Sequence, residues 1–477
     1  MNARALLDLR KPFMMLEGRL IHRQLKQPDV LPAGAVADLR YILSFARLTQ
    51  VRNVDGRDVD LTEMLSSHRT RIHNLIEPRL QQRGSWSALA RILPNLTEET
   101  VAMRQRVLAW APLNRDALEQ EVTERQLVVA CGGGGGSGYG YAGAFALMDR
   151  CGLQPAMLAG TSMGALACMF RARRRVFDAV PLIEATRRLR WNTVFEVLNT
   201  SNRYGVPATL RLYLRRAIGP LVQTEDGRPI TFNDAEVPLL IVATGITMEG
   251  LKHDLSYYEH FLDDVVKPGM VFRLSRMARL QQYASLLSEF IATPDALREI
   301  VFGRDPQTMD ADIVDAAGFS SAVPGLIHYD VLRDDPRMKR LLDGLYSEYG
   351  ITRLGEGGLV CNVPARPAFE AVMDGQIVRR NPVVVAMDCF TPRMRSLIWY
   401  PIQQIAAMNV RQDKIYADLY VPLDKVLSPA FVVPTVRQLT QAMAWTTDEM
   451  TPHMPFIKAM CATHRVLRSP KQAAQAV

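Results

Sequence analysis

Ser162 lies in the segment Gly160-Thr161-Ser162-Met163-Gly164, which fits the pattern G-x-S-x-G. The segment directly follows a predicted strand, PAMLAG, and directly precedes a predicted helix, TSMGALACMF. Glycines on both sides of a serine permit the sharp turn of a nucleophile elbow, which lifts the hydroxyl out of a sheet. A helix that begins there directs free N–H groups toward developing negative charge. The pattern also occurs by chance in structural turns, but this context predicts that Ser162 is a nucleophile.

A run of glycines, CGGGGGSG at residues 131–138, follows another predicted strand, QLVVAC. Consecutive glycines leave backbone N–H groups uncovered, which suits an oxyanion hole and equally a phosphate site. The run also matches the dinucleotide-binding fingerprint, but that fingerprint requires an acidic residue about 20 residues further on. Here the next strand ends in the serine motif, and no Gly-Lys-Ser/Thr of a P-loop follows. The sequence therefore favours an oxyanion and substrate-binding loop over a nucleotide site, with five glycines as its members: Gly133, Gly134, Gly135, Gly136 and Gly138.

Short apolar strands alternate with helical segments around both motifs. Further strand candidates are PLLIVAT at residues 238–244 and PVVVAMD at residues 382–388. This alternation predicts an α/β fold with a mainly parallel sheet and helices on both faces. Such a sheet places its active groups at the carboxyl ends of its strands. The two glycine motifs, each directly after a strand, are therefore expected at one edge of the sheet.

With both motifs in order, the sequence resembles the patatin-like phospholipases, whose domain opens with G-G-G-x-R/K-G, continues to G-x-S-x-G and closes with D-G-G or D-G-A. The loop corresponds to residues 133–138, and the closing motif to Glu356-Gly357-Gly358 within LGEGGLVCNVP. The segments ITFNDAEVPLLIVATGITMEG and VDAAGFSSAVPGL also resemble family segments, and the resemblance covers roughly residues 125 to 390. It implies a three-layer α/β patatin-like fold. It also implies a dyad of Ser162 and Glu356, an oxyanion held by the glycine loop, and no metal or organic cofactor.

Two positions depart from the family pattern. Ser137 replaces the Arg or Lys of the loop, and Glu356 replaces the aspartate of the dyad. Glutamate can act as a base, but its carboxylate lies about 1.5 Å further out, the length of one C–C bond. Either the backbone compensates for this length or turnover is slow, because a displacement near 1 Å can cost about a hundredfold in rate. Asp374 follows the motif and is not taken as the base, and a structural role is favoured for His328.

We predict three regions along the chain. Residues 1–122 are predicted to form a helical domain of unknown role, and residues 123–390 the hydrolase domain. Residues 391–477 are predicted to form a helical C-terminal extension. An amphipathic stretch at about 251–310, which includes DALREIVFG, indicates a helical insertion that either caps the site or packs on the sheet. The sequence does not indicate an oligomeric state.

The composition fits a globular protein of 477 residues with 48% hydrophobic and 22% charged residues. The net charge of +8 favours anionic surfaces, but no long Lys/Arg tract indicates nucleic-acid binding. The densest basic cluster, Arg171 and Arg173 to Arg175, predicts either a solvated helix end or a contact with lipid headgroups. The six scattered cysteines indicate neither zinc nor a disulfide framework. Without a secretory or membrane-spanning pattern, we expect a cytoplasmic protein that contacts membranes at most peripherally.

The expected function is hydrolysis of a lipid acyl ester, in a phospholipid or a lysophospholipid, through an acyl-enzyme on Ser162. Two alternatives stay open. A degenerate protein of the same fold would bind lipid or regulate a partner without turnover, which the changes at Ser137 and Glu356 motivate. An acyltransferase would keep the serine chemistry and pass the acyl group to an alcohol instead of water.

Overall fold

The computed structural model describes residues 2–468 except residues 30, 33, 82–85, 198–202, 207, 248–295, 332 and 393–399. The strands are, in chain order, β1 (Gln50–Arg52), β2 (Asp58–Asp60), β3 (Gln126–Cys131), β4 (Met157–Thr161), β5 (Phe195–Val197), β6 (Ala208–Leu212), β7 (Leu239–Ile246), β8 (Leu297–Phe302), β9 (Gly325–His328), β10 (Arg353–Gly355), β11 (Pro382–Asp388) and β12 (Leu419–Pro422). The helices are α1 (Ala3–Lys26), α2 (Ala35–Arg47), α3 (Ser66–Gln81), α4 (Trp86–Trp110), α5 (Arg115–Thr123), α6 (Tyr141–Arg150), α7 (Met163–Ala172), α8 (Val180–Arg188), α9 (Trp191–Val194), α10 (Leu214–Ile218), α11 (Ile313–Ser320), α12 (Pro336–Tyr349), α13 (Ala365–Met373), α14 (Tyr400–Asp413), α15 (Val436–Met450) and α16 (Met454–Cys461). The helices within the described residues are all too short or too polar to span a bilayer.

Two compact units divide the chain. Unit 1 contains residues 1–127, 369–383 and 453–477, and unit 2 contains residues 128–368 and 384–452. The domain boundaries that we inferred from the sequence stay a prediction. The prediction that the first 122 residues are mainly helical agrees with α1 to α5, to which the structure adds the small hairpin of β1 and β2.

Unit 1 buries charged side chains as well as a hydrophobic core of its helices. Glu17, which is fully buried, accepts hydrogen bonds from Arg40 at 3.1 Å, Arg47 at 2.7 Å and Arg125 at 3.1 Å. Burial alone raises the pKa of the Glu17 carboxyl, but Arg125 and Arg47 hold it well below its usual value. A carboxylate with several cationic partners is the arrangement that makes burial of such a charge tolerable.

The central sheet of unit 2 has the order β10-β7-β4-β3-β11-β12, and β8 pairs with β7. The pairs β3–β4, β4–β7 and β11–β12 are parallel, whereas β8 and β10 run antiparallel to β7. Strands β4, β7 and β11 are buried along their whole length, which is why they read as continuous apolar runs. The predicted α/β class with a mainly parallel central sheet is confirmed.

One edge of β7 carries two short strands that point at each other. β4 pairs with residues up to Val242, where its partner is Thr161, and β10 pairs with residues from Thr244, where its partner is Gly355. They share this edge because β8 occupies the other edge along Ile241–Ile246. The residues that follow the two strands, Ser162 and Glu356, therefore meet beside Ala243.

A second, three-stranded sheet in unit 2 consists of β5, β6 and β9, with β5–β6 antiparallel and β6–β9 parallel. The sequence did not predict this sheet. Its strands are short, at three to five residues, and two of them follow short helices, so no run was long enough to stand out.

Two predictions of helix are wrong in the described residues. DALREIVFG, the end of the expected helical insertion, contains strand β8, because Ile300, Val301 and Phe302 complete the open edge of β7. The C-terminal extension is not all helical, since β12 extends the sheet beside β11. The part of the expected insertion and cap at residues 251–295 lies outside the described residues.

Candidate active site

Ser162 has an unusual backbone conformation between β4 and α7. Its φ of 53° and ψ of −122° make it the one non-glycine with positive φ among the described residues. Such a conformation costs on the order of 1–3 kcal/mol and persists only where the surroundings enforce it. The flanking glycines, Gly160 and Gly164, allow the chain to pack closely enough to enforce this turn. A Cβ on Gly160 would lie 2.6 Å from the Ala165 backbone, and one on Gly164 would lie 2.1 Å from the Cys131 oxygen.

A buried serine from another element holds this turn. The N–H of Ser162 donates to Ser320 Oγ at 2.8 Å, and the Ser320 hydroxyl donates to the carbonyl of Val242 at 2.5 Å. Ser320 is the last residue of α11 and is fully buried. The turn is therefore tied to the middle of β7 through one hydroxyl group. Ser320 lies in the small-residue segment VDAAGFSSAVPGL, which from the sequence is known only by its family resemblance and does not indicate this role.

Glu356 lies at hydrogen-bond distance from Ser162. The Ser162 hydroxyl donates to Glu356 Oε2 at 3.0 Å, while Glu356 Oε1 accepts the N–H of Gly358 at 3.2 Å. The backbone of Glu356 is fixed on both sides, because its N–H donates to Ala322 at 2.8 Å and its carbonyl accepts the Thr244 hydroxyl at 2.7 Å. The two residues of the predicted dyad are thus brought together.

Burial raises the pKa of Glu356 to about 7, against the opposing effect of its hydrogen bonds from Gly358 and Ser162. Part of the carboxyl surface is accessible, but it faces an apolar cavity instead of bulk water. A carboxyl group with a pKa near 7 exchanges its proton easily at neutral pH, which suits a general base.

The two glycines after Glu356 permit close packing. A Cβ on Gly357 would lie 2.2 Å from the Val242 oxygen and 2.9 Å from Thr161 Cγ2. A Cβ on Gly358 would approach Asn362 Oδ1 at 3.0 Å. The motif therefore brings the chain against β4 and β7 so closely that a side chain at residue 357 does not fit.

The glycine loop contains two backbone N–H groups, those of Gly134 and Gly135, that have no acceptor among the described residues. Gly133 donates its N–H to the Asn362 carbonyl at 3.0 Å, and Gly136 donates to Pro429 at 2.9 Å. These two N–H groups are occupied, which narrows the predicted set of oxyanion donors. No acceptor among the described residues binds the N–H groups of Gly134 and Gly135, and both residues line the cavity beside Ser162.

The remaining loop positions are shaped by packing. A Cβ on Gly138, which also lines the cavity, would lie 2.6 Å from Met163 Cγ. Ser137, at the position of the family's Arg or Lys, is buried and donates its hydroxyl to the carbonyl of Leu427 at 2.9 Å. Its hydrogen bond fixes the loop to the segment before Pro429, so a neutral structural contact replaces a charge.

Ser162 and Glu356 line a cavity of about 380 Å³ in unit 2. Its walls are apolar and come from α7, α8, α10 and the second sheet, through residues such as Leu166, Phe170, Leu182, Leu212, Ile218 and Ile327. Among the described lining residues, Glu356 supplies the one carboxyl group, and none is Arg, Lys or His. Ser162 and Glu356 therefore face a space that suits a hydrocarbon chain.

The two residues weighed against Glu356 lie elsewhere. His328 is buried, its Nδ1 lies 2.8 Å from the Val206 carbonyl, and burial lowers its pKa to about 4. It is not among the residues that line the cavity. Asp374 is exposed and belongs to unit 1. Neither position is arranged to take a proton from Ser162.

Sequence reasoning missed three residues that hold the backbone around the site: Ser320 at Ser162, Thr244 at Glu356 and Asn362 at Gly133. Asn362 stands in the motif segment, accepts the N–H of Gly133 through its carbonyl and lines the cavity. A Cβ on Gly133 would lie 2.9 Å from Asn362 Oδ1 and 3.0 Å from Ser162 Cβ. A polar residue in a segment of small and apolar residues was the available signal, but only the fold shows which group it contacts.

Comparison with known families matches residues 129–369 to the family described as patatin-like phospholipase. The match covers half of the 477 residues and includes the glycine loop, Ser162 and Glu356. Comparison with curated proteins gives no match.

Proposed function

The chain belongs to the patatin-like phospholipase family, and on that premise we propose that it hydrolyses the acyl ester of a phospholipid or lysophospholipid. Family membership indicates lipid acyl hydrolase activity in general terms. The observation that carries the specific proposal is the 3.0 Å hydrogen bond from Ser162 to Glu356 at the wall of an apolar cavity.

In the acylation step, Glu356 accepts the hydroxyl proton as Ser162 Oγ attacks the ester carbonyl carbon. The carbonyl oxygen becomes an oxyanion, and the N–H groups of Gly134 and Gly135 stabilise it. The intermediate then collapses, the C–O bond to the alcohol breaks, and Glu356 returns the proton to the leaving alcohol. The product is an acyl ester on Ser162.

In the second step, a water oxygen attacks the carbonyl carbon of the acyl-enzyme, and Glu356 accepts a proton from that water. The second tetrahedral intermediate uses the same donors. Its collapse breaks the bond to Ser162 Oγ, and the proton returns to the serine. One carboxyl group near its pKa serves both steps, so the mechanism needs no histidine.

The cavity supports a lipid substrate over a small polar ester. Each buried methylene group gains about 0.8 kcal/mol on leaving water, so an acyl chain in this space contributes several kcal/mol of binding. Gly134, Gly135 and Glu356 line the cavity beside Ser162, so an ester bound at the serine would extend its acyl chain along the apolar part.

A fluorophosphonate probe tests the nucleophile and base directly. We expect the purified protein to be labelled, Ser162→Ala to lose labelling, and Ser321→Ala, another serine that lines the cavity, to keep it. We expect Glu356→Gln to lose labelling and Glu356→Asp to reduce its rate about a hundredfold, since the shorter side chain leaves a gap of about 1.5 Å. Full labelling of Glu356→Gln would remove Glu356 from the mechanism.

The same proteins separate the alternatives. Lipid binding without labelling of the native protein would favour a degenerate lipid-binding or regulatory protein. Labelling together with transfer of the acyl group to an added alcohol, at the expense of fatty-acid release, would favour an acyltransferase. Analysis of the products from a phospholipid and a lysophospholipid identifies the ester that is cleaved.

A further inference from the structure

We propose that the exposed surface of residues 173–191, here called the basic segment, docks the protein on a bilayer that contains anionic phospholipid. This goes beyond the proposed function, because binding to the bilayer needs no turnover and is measurable in a protein without Ser162. The partner is identified by the charge of the surface, by its exposed apolar side chains and by the cavity behind it.

The basic segment concentrates positive charge. It contains six arginines, at positions 173, 174, 175, 187, 188 and 190, against two carboxylates, Asp178 and Glu184. Its net charge of +4 in 19 residues is half of the net +8 of the whole chain. The surface is therefore much more basic than the chain on average, and an anionic bilayer attracts such a segment.

Three arginines of this segment are exposed and poorly neutralised. Arg187 and Arg188 lie 3.9 and 3.8 Å from the Glu184 carboxylate, and their side chains are 64% and 77% exposed. Arg190 donates to the backbone carbonyls of Arg187 and Leu189. Long, exposed ion pairs are weak in water, so these guanidinium groups keep most of their charge available for phosphates. The other cluster member named in the sequence, Arg171, is buried and bonds within the protein.

Apolar side chains are exposed among these arginines. Trp191 is 52% exposed and Val180 is 57% exposed. Trp191 packs against Phe195, with ring centroids 4.7 Å apart, and Phe195 is buried and lines the cavity. Tryptophan prefers the interface between headgroups and acyl chains, because its ring is apolar and its N–H is polar.

The inner side of the same segment forms a wall of the cavity. Leu182, Ala185 and Thr186 of α8 line it, and Leu189 follows them. One short stretch of chain thus presents arginines and a tryptophan to solvent and apolar side chains to the space beside Ser162. A bilayer docked on the outer side lies next to the wall of the cavity that takes the acyl chain.

Three of the large exposed hydrophobic residues of unit 2 lie in the basic segment itself, namely Val176, Val180 and Trp191. The described residues of unit 2 include five such residues, Val176, Val180, Trp191, Met408 and Phe431. All except Val176 lie within two residues of a residue that lines the cavity. Nucleic acid would use the arginines of the basic segment but leave its exposed apolar side chains, Val176, Val180 and Trp191, in water, whereas a bilayer accommodates both.

Flotation with vesicles tests the proposal on the full chain carrying Ser162→Ala, which removes turnover from the measurement. We expect binding to vesicles of phosphatidylcholine with 30% phosphatidylglycerol, little binding to phosphatidylcholine alone, and weaker binding in high salt. Because one arginine near such a surface is worth about fivefold in affinity, Arg187→Gln/Arg188→Gln/Arg190→Gln should weaken binding at least tenfold. Trp191→Ala should weaken binding to a smaller extent.

A charge-matched variant provides the control. Arg203→Gln/Arg228→Gln/Arg340→Gln removes three exposed arginines of unit 2 outside the basic segment. We expect it to bind within about threefold of the parent, because these arginines lie outside the surface that is proposed to face the bilayer. Equal weakening of vesicle binding by both triple variants would show that only the net charge of the protein matters, and this would overturn the proposal. Absence of binding to anionic vesicles would overturn it as well.

Activity separates this proposal from the proposed function. In the chain that keeps Ser162, the triple variant at 187, 188 and 190 should hydrolyse a short soluble ester at the native rate and lose rate on anionic vesicles. An inactive native protein that binds vesicles through the basic segment would leave docking standing and remove hydrolysis. Preferential binding of single-stranded RNA through the same arginines would replace the bilayer by nucleic acid.

Discussion

Glu356 is longer by one methylene group than the aspartate that the family resemblance implies at this position, and hydrogen bonds fix the backbone from which its side chain extends. The N–H of Glu356 is held by Ala322 and its carbonyl by Thr244, so the main chain is fixed before the side chain begins. From there the carboxylate reaches Ser162 at 3.0 Å. The extra methylene group is therefore part of the site geometry, and a shorter side chain at this backbone position would fall short of the serine.

The raised pKa of Glu356 gives the proposed hydrolysis a definite dependence on pH. Because the base must be ionised and its pKa is about 7, we expect kcat/KM to rise about tenfold per pH unit below pH 7 and to level off above it. The measurement is initial rate with a short soluble ester from pH 5 to 9, with a thermal melt at each pH to exclude unfolding. A flat profile across pH 6 to 8 would contradict the assignment of Glu356 as the base.

We expect Ser320 to act as a positioning residue, because its hydroxyl accepts the N–H of Ser162 and Ser320 is not among the residues that line the cavity. We expect Ser320→Ala to cost about 1–3 kcal/mol of unfolding free energy, since a buried N–H loses its acceptor. The relaxed turn should also lower kcat for the short ester more than it raises KM. Chemical denaturation and steady-state kinetics measure the two effects.

Ser321→Ala is the control for that experiment. The Ser321 hydroxyl donates only within its own chain turn, to Ala317 at 2.8 Å, and Ser321 also lines the cavity. Its loss should leave kcat within a few fold of the native value. Equal effects of the two substitutions on kcat would show that Ser320 has no special role in holding the turn.

At the scale of elements, the site arises where β4 and β10 end opposite each other on one edge of β7. Neither strand alone specifies it, because β4 carries the serine turn and β10 carries the carboxylate from nearly 200 residues later. Just after β10, Gly357 packs against both neighbouring strands, since a Cβ there would lie 2.2 Å from the carbonyl oxygen of Val242 in β7 and 2.9 Å from Thr161 Cγ2 in β4.

Gly357→Ala should push the segment after β10 away from β4 and β7. The added Cβ would lie 2.2 Å from a backbone oxygen that has no freedom to move, so we expect a loss of about 2 kcal/mol or more in unfolding free energy and loss of fluorophosphonate labelling. Gly344→Ala is the control, because it lies in α12 with nothing within 4 Å of the new Cβ. That change should stabilise the protein by about 0.5–1 kcal/mol and leave labelling intact.

At the scale of the whole molecule, unit 2 builds a cavity from helices and a second sheet that lie far apart in sequence. Residues from α7, α8, α10, β6 and β9 contribute to it. The apolar lining is continuous with the position of Ser162, and this continuity is what makes a long acyl chain the expected occupant. Unit 1 has its own hydrophobic core and its own buried charges.

Filling the cavity should change the preferred chain length. Ala217 lines it from α10, and Ala217→Phe would displace several methylene groups of a long chain, each worth about 0.8 kcal/mol. We therefore expect kcat/KM for a sixteen-carbon ester to fall about tenfold or more, with a four-carbon ester little affected. Val378→Phe, at an exposed position that does not line the cavity, should change neither. An equal loss for both esters would mean that Ala217 does not limit the acyl chain.

The sequence by itself determined the features that depend on local chemistry. β11 has the predicted extent, and the strand–turn–helix context placed Ser162 between β4 and α7. Continuous apolar runs indicated buried parallel strands because both faces of such strands are covered. The order of the three glycine motifs was enough to indicate the family, because the glycines in these motifs permit close packing or a sharp turn at their own positions.

Only the tertiary structure decided what depends on contacts between distant segments. DALREIVFG forms β8 and not a helix, because an open edge of β7 is available to it. Packing also determines that Gly133 and Gly136 donate their N–H groups to other loops, whereas those of Gly134 and Gly135 have no acceptor among the described residues. It likewise places Ser320 where its hydroxyl accepts the N–H of Ser162. The length of Glu356 fits Ser162 because Ala322 and Thr244, distant in sequence from both, fix where its side chain begins. Local sequence patterns hold no information on such distances, because they are set by how the elements pack.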